Sequence, residues 1–377
     1  VRRKPIRFPS INQFRSTVKV AKLRAAYVGK DKDGAPIYDH SKVPPTLEFL
    51  GTVKLHGTNA SIIHRVGQPL GCQSRNRVLS VGENDNAGFA QFTLGDMEGP
   101  TWYPYFDALR EANGISPAET VIVYGEWCGK GIQKGVAIAA FDKTFVMFAI
   151  RVYDEVEEQG RWLYPEEMSA VPLPEHDRVK SILDFPTYRV TIDFNDPTLA
   201  QNELVRLTEN VEAECPVAAA MGVSGTGEGI VWRCVSPDYN SSDYWFKVKG
   251  EKHSVTKVKT LAPVDVELMT SIHEFVGAVL QSSRLQQGIE HLRESGLEPS
   301  KRTTAEYLRW VIKDVMKEES DTMEASGLQS KQVNKHLSTQ ARKWYFEWLN
   351  QNLLTQDDSR RADLETETRT PKRRRNR

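Results

Sequence analysis

Cysteine is scarce: 377 residues hold four, Cys72, Cys128, Cys215 and Cys234, with no Cys-x-x-Cys pair and no zinc-like spacing among them. A disulfide framework and a structural metal are therefore not expected, and scattered thiols fit a reducing compartment. No uninterrupted apolar run reaches membrane-spanning length, and the first residues lack the apolar core of a secretory signal. The chain is thus expected to be soluble, without a membrane partner, and cytoplasmic (host cytoplasm for a viral chain) rather than mitochondrial, although its acid-poor start loosely resembles a transit segment. The Gly-rich stretch 125–135 contains no Gly-x4-Gly-Lys-Ser/Thr, so no P-loop is present to cradle phosphates. Asp31-Lys32-Asp33-Gly34 begins like a calcium loop, but Pro36 and Lys42 stand where an EF-hand needs Gly and Glu, and a turn is expected instead. Net charge is also missing, at zero overall, yet it is unevenly spread: residues 1–30 carry nine basic side chains and no acidic one, and the chain closes with Lys372-Arg373-Arg374-Arg375-Asn376-Arg377. Such runs attract phosphate backbones without reading sequence, or serve as solvated tails.

The residues that are present form ordered blocks. Leu47 to Val53 reads as one strand and Ala60 to His64 as the next, with Lys54-Leu55-His56-Gly57-Thr58-Asn59 between them, so Lys54 stands at a strand end before a tight loop. Downstream, Tyr124-Gly125-Glu126-Trp127 puts a carboxylate at the end of an apolar strand, Val121 to Tyr124, and Phe145 to Ile150, containing Phe148, reads as a buried strand. Gly227-Glu228-Gly229 repeats the pattern of a carboxylate flanked by glycines at a strand edge. In Tyr244-Trp245-Phe246-Lys247-Val248-Lys249, alternation puts Lys247 and Lys249 on one strand face, which suits a phosphate. Taken singly, each could be plain core or a solvated strand end. Their order and spacing make the signal.

Together these blocks resemble the covalent nucleotidyltransferases, and within them Lys-x-His-Gly-Thr-Asn is similar to the second class of phage RNA ligases and the trypanosome editing ligases. The resemblance covers residues 8–249, with Ser10-Ile11-Asn12 and Ser74-Arg75-Asn76-Arg77 as weaker matches. It implies an α+β nucleotidyltransferase domain of ATP-grasp-like antiparallel sheets followed by an all-helical C-terminal domain. It further implies an ATP-dependent RNA ligase joining 5′-phosphate and 3′-hydroxyl ends, at nicks in duplex RNA, through a lysyl-AMP and then an adenylylated RNA 5′ end. Cofactors would be ATP with Mg²⁺ or Mn²⁺. Lys54 would attack the α-phosphate; a protonated lysine cannot, and Lys247, Lys249 and the metal all disfavour a third positive charge there. Glu126 would accept a hydrogen bond from the ribose, Glu228 would hold the metal, and Phe148 would stack on adenine. Arg75 would lie near the ribose and the RNA end, with Arg77 a competitor for that role. Asn59 would contact the nucleotide, and His56, Thr58 and Asn59 would serve the later steps. The sequence departs from the family at Val53, where Glu is common, and matches less clearly over 154–221. Alternatives are a DNA ligase, a capping-type enzyme using GTP, or a non-catalytic RNA-binding protein that kept the fold.

Beyond Lys259 the pattern turns helical. Apolar stripes run through Leu268, Met269, Ile272, Phe275, Val276, Val279 and Leu280, through Leu308, Val311, Ile312, Val315 and Met316, and through Val333, Leu337, Ala341, Trp344 and Trp348. Thr303 or Thr304 could cap the middle helix. The expected domains are residues 1–261 for adenylyl transfer, 262–355 for a helical domain that binds RNA or a protein, and 356–377 as a disordered basic tail.

Overall fold

The computed structural model describes residues 4–82, 84–97, 101–254 and 272–368, with side chains to 352. Residues 4–254 form one compact unit; 272–293 and 297 onward form a second. The expected boundary at 261, the stripe residues Leu268 and Met269, and the final basic run lie outside the described residues.

In the first unit the chain runs β1 (Asn12–Gln13), α1 (Phe14–Ala26), β2 (Tyr27–Lys30), β3 (Pro36–Tyr38), β4 (Thr46–Lys54), β5 (Thr58–His64), β6 (Gly71–Ser74) and β7 (Val78–Leu79). It continues through α2 (Tyr103–Asn113), β8 (Thr120–Cys128), β9 (Thr144–Asp154), β10 (Gln159–Trp162), α3 (Pro165–Met168), β11 (Val179–Ser181) and β12 (Thr187–Asp193). It ends with α4 (Gln201–Ala213), α5 (Pro216–Ala220), β13 (Gly229–Cys234) and β14 (Trp245–Lys249). One sheet has the order β1-β14-β13-β4-β12, and a second has β10-β9-β8-β5-β6-β7 with β11 added beside β9; β2 and β3 pair separately. Pairing is antiparallel except for β1 with β14 and β11 with β9. The architecture is α+β, as expected.

Alternation along the strands decides which side chains meet. In the first sheet Val53, Ile230, Trp232, Phe246 and Val248 fall on one face and pack with Phe14 and Val18 of α1 and Leu204 and Val211 of α4. The opposite face therefore carries Lys54, Trp245, Lys247 and Lys249. In the second sheet Ala60, Ile62, Val121 and Val123 pack with Phe106 and Leu109 of α2, so the other face carries Asn59, Ile63, Ile122, Tyr124 and Glu126. These two faces approach each other, and an aromatic cluster of Tyr124, Trp162 and Trp245, with Phe8 and Phe148 packed on it, fills one end of the space between them. The polar residues are left at the other end.

Two strand boundaries differ from expectation, for one reason. β5 begins at Thr58 and β8 continues to Cys128 because they pair through Asn59↔Glu126 and Thr58↔Trp127. Glu126 is thus inside a strand rather than at its end. The weakly matching region 154–221 supplies β12, which completes the first sheet against β4. Asp31 does head a turn: its Oδ1 accepts from the amides of Asp33 (2.9 Å) and Ala35 (2.8 Å).

The second unit contains α6 (Ile272–Val279), α7 (Ser282–Glu294), α8 (Thr304–Glu318), α9 (Ser320–Ala325) and α10 (Ser330–Thr368). The stripes bury as read: Phe275, Val276 and Val279, then Leu308, Val311 and Val315, then Val333, Leu337 and Ala341. Helix α7 was not anticipated, because polar residues outnumber Leu285, Ile289 and Leu292. The fully buried Arg284 anchors it, bonding Asp314 (2.9 Å), Glu318 and Glu319 (3.2 Å each) and the carbonyl of Val279 (2.7 Å). Neither threonine caps α8; the Thr303 hydroxyl instead accepts from the Ser300 amide, 2.9 Å away. The backbone of α10 remains helical to Thr368, through the segment from 356 where disorder was expected. Among the described residues no helix is long and apolar enough to cross a membrane.

Candidate active site

The register of three strands builds one side of the site. Gly229 of β13 lies opposite Lys54 of β4 on one flank and Lys249 of β14 on the other, so the two lysines straddle a residue without a side chain. The glycine is required twice over: its φ is +146°, and a Cβ there would stand 2.2 Å from the carbonyl oxygen of Val248. Glu228, one residue earlier and only 2% exposed, bridges the pair, with Oε2 2.6 Å from Lys54 Nζ and Oε1 2.9 Å from Lys249 Nζ. Burial alone would raise its carboxyl, but Lys249, Lys54 and His56 outweigh that and hold it well below the usual carboxylate range. Burial, reinforced by Lys54 and Lys247 and opposed by Glu228, lowers the Lys249 ammonium. Lys247 is two residues back on the same face, opposite Val231.

The loop of residues 55–57 crosses from this sheet to the second. Its landing point is Gly57, whose amide donates to Glu126 Oε1 at 2.8 Å and whose carbonyl accepts from Gln133 Nε2 at 3.2 Å. A Cβ on Gly57 would stand 2.4 Å from the carbonyl oxygen of Trp127, so no other residue fits this approach. Glu126 has part of its side chain at the surface, but its carboxyl is enclosed, and burial pushes it up to about 8 against the pull of Lys54 and the Gly57 amide. Asn59 lies directly opposite Glu126, and its Oδ1 is buried with no hydrogen-bond partner among the described residues, an acceptor available to a ligand. Arg75 follows the last residue of β6, which pairs at Ser74↔Ala60, so it extends the line Glu126–Asn59 across the sheet. Its guanidinium donates one hydrogen bond among the described residues, to the Pro9 carbonyl at 3.5 Å, whereas Arg77 donates several, among them to Asn84 (3.0 Å) and the Asp85 carbonyl (3.5 Å). That leaves Arg75 the better placed of the two.

His56 lies between the two sides. Its Nδ1 is 3.6 Å from Glu228 Oε2. Burial pushes the ring down to about 4; Glu228 opposes this, while Lys54, Lys249 and His253 add to it, so the imidazole is neutral at neutral pH. His253, which sequence reading missed, packs edge-on to His56 with ring centroids 6.1 Å apart and has Nδ1 3.8 Å from Glu212. It stands four residues beyond Lys249 in a segment with no spacing signal. Phe148 is partly buried between the aromatic cluster and the helix-backed core, edge-on to Phe8 at 4.9 Å. Among the described residues no group of three or more His, Cys, Asp or Glu gathers as a cation cage.

The family model for RNA ligase matches residues 47–249, more than half of the chain and the whole span from β4 to β14. The chain belongs to the RNA ligase family. Solved structures to which this RNA ligase family member is similar include three of Naegleria gruberi RNA ligase. A mutant with AMP and Mn has 14% identity and a TM-score of 0.37, covering 65% of this chain and 56% of that one. A mutant with ATP and Mn has 13% identity and a TM-score of 0.38, covering 66% and 56%. The ligase with PPi has 14% identity and a TM-score of 0.34, covering 65% and 58%. The chain thus spans somewhat over half the length of these proteins. No curated protein matches it.

Proposed function

We propose that this chain is an ATP-dependent RNA ligase that joins a 5′-phosphate to a 3′-hydroxyl, at nicks in duplex RNA, through AMP carried on Lys54 and then on the RNA 5′ end. The observation that carries the reading is the row Lys54–Gly229–Lys249 bridged by buried Glu228. It holds one amine at a strand end, fixes its direction, and surrounds it with the charges that a transferring phosphate needs.

In the first step Lys54 gives up a proton, its Nζ forms a bond to the α-phosphorus of ATP, and the bond to the bridging oxygen breaks as pyrophosphate leaves. Lys247 and Lys249, on the same strand face, offset charge on the phosphate oxygens. Glu228, 2.6 Å from Nζ, holds the amine in direction, and the proton leaves to solvent, to which the Lys54 side chain is 23% exposed. Glu228 is also the residue that fits a divalent ion, being a buried oxygen donor that is ionised; Mg²⁺ or Mn²⁺ is commonly held by one or two carboxylates together with substrate phosphates and would supply further charge neutralisation. Asn59, Glu126 and Arg75, in line on the facing sheet, are assigned to the ribose and its phosphate. A protonated Glu126 can donate as well as accept there. Phe148 is assigned to the adenine. Neutral His56, beside both Lys54 and Glu228, is assigned to the transfer of AMP onward and to sealing, and the helical unit to engaging the nucleic acid.

Sealing of a nicked duplex tests the reading. Deoxynucleotides in the last two positions on the 3′-hydroxyl side should slow sealing strongly, because RNA is told from DNA through its 2′-hydroxyls, while those on the 5′-phosphate side should matter less. Equal sealing of all-DNA nicks would favour a DNA ligase, and labelling by GTP alone a capping enzyme. A fragment ending near residue 261 should still take label from ATP yet lose most sealing. Full sealing by it would reassign the helices.

A further inference from the structure

Helix α10 of the second unit distributes its charge unlike the rest of the chain. No Asp or Glu occurs between Glu324 and Glu347, whereas Lys331, Lys335, Arg342 and Lys343 do, in a chain of zero net charge. All four cations are exposed. Spacings of four and seven put Lys331, Lys335 and Arg342 in one line along the helix, with Thr339 and Phe346 beside it and Lys343 to one side. Glu347 falls further round, past Lys343. Among the described residues none of the four makes an ion pair. On α8, by contrast, Arg309 pairs with Glu306, and Asp314 and Glu318 turn to the buried Arg284. Lys331 and Lys335 stand one turn apart on one face, where like charges destabilise a helix. Within the chain nothing offsets that repulsion among the described residues, and a polyanion would.

We infer that this face of α10 binds the phosphate backbone of duplex RNA without reading its sequence. The inference rests on the RNA-ligase reading and deepens it, since it gives the helical unit's engagement of nucleic acid to one helix face. Cations without a partner neutralise phosphates and release the counterions condensed on them. The exposed Gln332 and Gln340 add amide groups that can donate to phosphates or to the 2′-hydroxyls of a shallow minor groove. From Lys331 to Arg342 the line covers about 17 Å, enough to meet several phosphates of a duplex. A single strand fits less well, because its binders stack successive bases on rings, and along this face Phe346, 38% exposed, is the one exposed ring among the described residues. A lipid surface also fits less well. The apolar face that would enter it, Val333, Leu337, Ala341 and Tyr345, is already buried in the unit.

The experiment measures binding of a short fluorescent duplex RNA to the full chain by anisotropy over a range of salt, alongside labelling by ATP. Lys331→Gln with Lys335→Gln and Arg342→Gln keeps good helix formers in place. This set should weaken binding by about tenfold or more, reduce the salt slope by about three, and leave labelling unchanged. Lys331→Arg with Lys335→Arg should bind as the parent does. A second set, Lys301→Gln with Arg302→Gln and Lys313→Gln, removes the same charge from exposed positions outside α10 and should lose little affinity. Unchanged affinity in the α10 set, in a chain that takes label, would overturn the inference and leave the ligase reading intact. Equal loss in the two sets would also overturn it, by reducing the effect to net charge. So would unchanged duplex affinity with lost binding to an oligouridylate or to anionic vesicles, which would give the face to a single strand or a lipid surface. Duplex binding that depends on the α10 cations in a chain that never takes label would leave this face standing and sink the ligase reading.

Discussion

Glu126 and Glu228 are the same residue in nearly the same local sequence, each preceded by glycine and near one end of a strand, yet they differ in charge. Glu228 is ringed by Lys54, Lys249 and His56 and stays ionised despite complete burial. Glu126 has one backbone amide and a more distant Lys54, and burial wins, pushing it up to about 8. The lesson is that the strand register, not the motif, assigns the role: Gly229 sits between two lysines, whereas Glu126 lies opposite Asn59 and Val146. One carboxylate is built to hold cations in place, the other to offer a neutral hydrogen-bonding group.

The largest expected effect breaks the comparison if it fails. Glu228→Gln leaves Lys54 and Lys249 without a counter-charge and should cut formation of labelled protein on the order of a hundredfold. Glu126→Gln replaces a protonated carboxyl with an amide of the same shape and should cost less than about tenfold. Equal losses, read by ATP labelling, would mean the two carboxylates are not distinguished. Next in size, Gly57→Ala and Gly229→Ala should each lose about 1–3 kcal/mol of stability from overpacking, seen as lower urea midpoints, because their Cβ atoms would meet backbone oxygens at 2.4 and 2.2 Å. Gly131, also at positive φ but with nothing within 4 Å, should tolerate Ala better.

A smaller effect is in the pH dependence. Because folding raises the Glu126 carboxyl from 4.5 to about 8, the native state holds a proton that the unfolded chain releases, and stability falls as pH rises through that window. The slope from this group is at most about 1.4 kcal/mol per pH unit. Glu126→Gln should remove it, so the difference between parent and variant should grow from pH 5 to 8. Glu228, with its carboxyl lowered, acts with the opposite sign and loses its contribution as pH falls below the usual carboxylate range. A parallel pair of curves would contradict the raised Glu126. Smallest for the first step is His56→Ala, which should leave most labelling while impairing sealing of the same nick; loss of labelling would move His56 to the first step.

Much of the site was legible because its residues lie on strands, where period-two alternation predicts faces: Lys247 and Lys249 project together as expected, and Lys54 does end a strand. What alternation could not give was register. The placement of Gly229 between the lysines, the continuation of β8 past Glu126 and the alignment of Asn59 with it depend on pairing between separate segments of the chain, β4 with β13, β13 with β14 and β5 with β8. His253 was hidden for the same reason, since it meets His56 only through tertiary packing. Helix α7 was missed because Arg284, a buried cation with three carboxylate partners, reads in sequence as surface. β12, which closes the first sheet, lay in the stretch where the resemblance was weakest.

The central claim is that Lys54, held by Glu228 in a row with Lys249, takes AMP from ATP. The direct measurement is mass spectrometry of peptides from the chain after incubation with ATP and Mg²⁺. The account predicts one AMP on the peptide containing Lys54, absent in Lys54→Ala and Lys54→Arg, since neither a methyl nor a guanidinium group can form the phosphoamide. A folded Lys54→Ala protein that still carries AMP would contradict it.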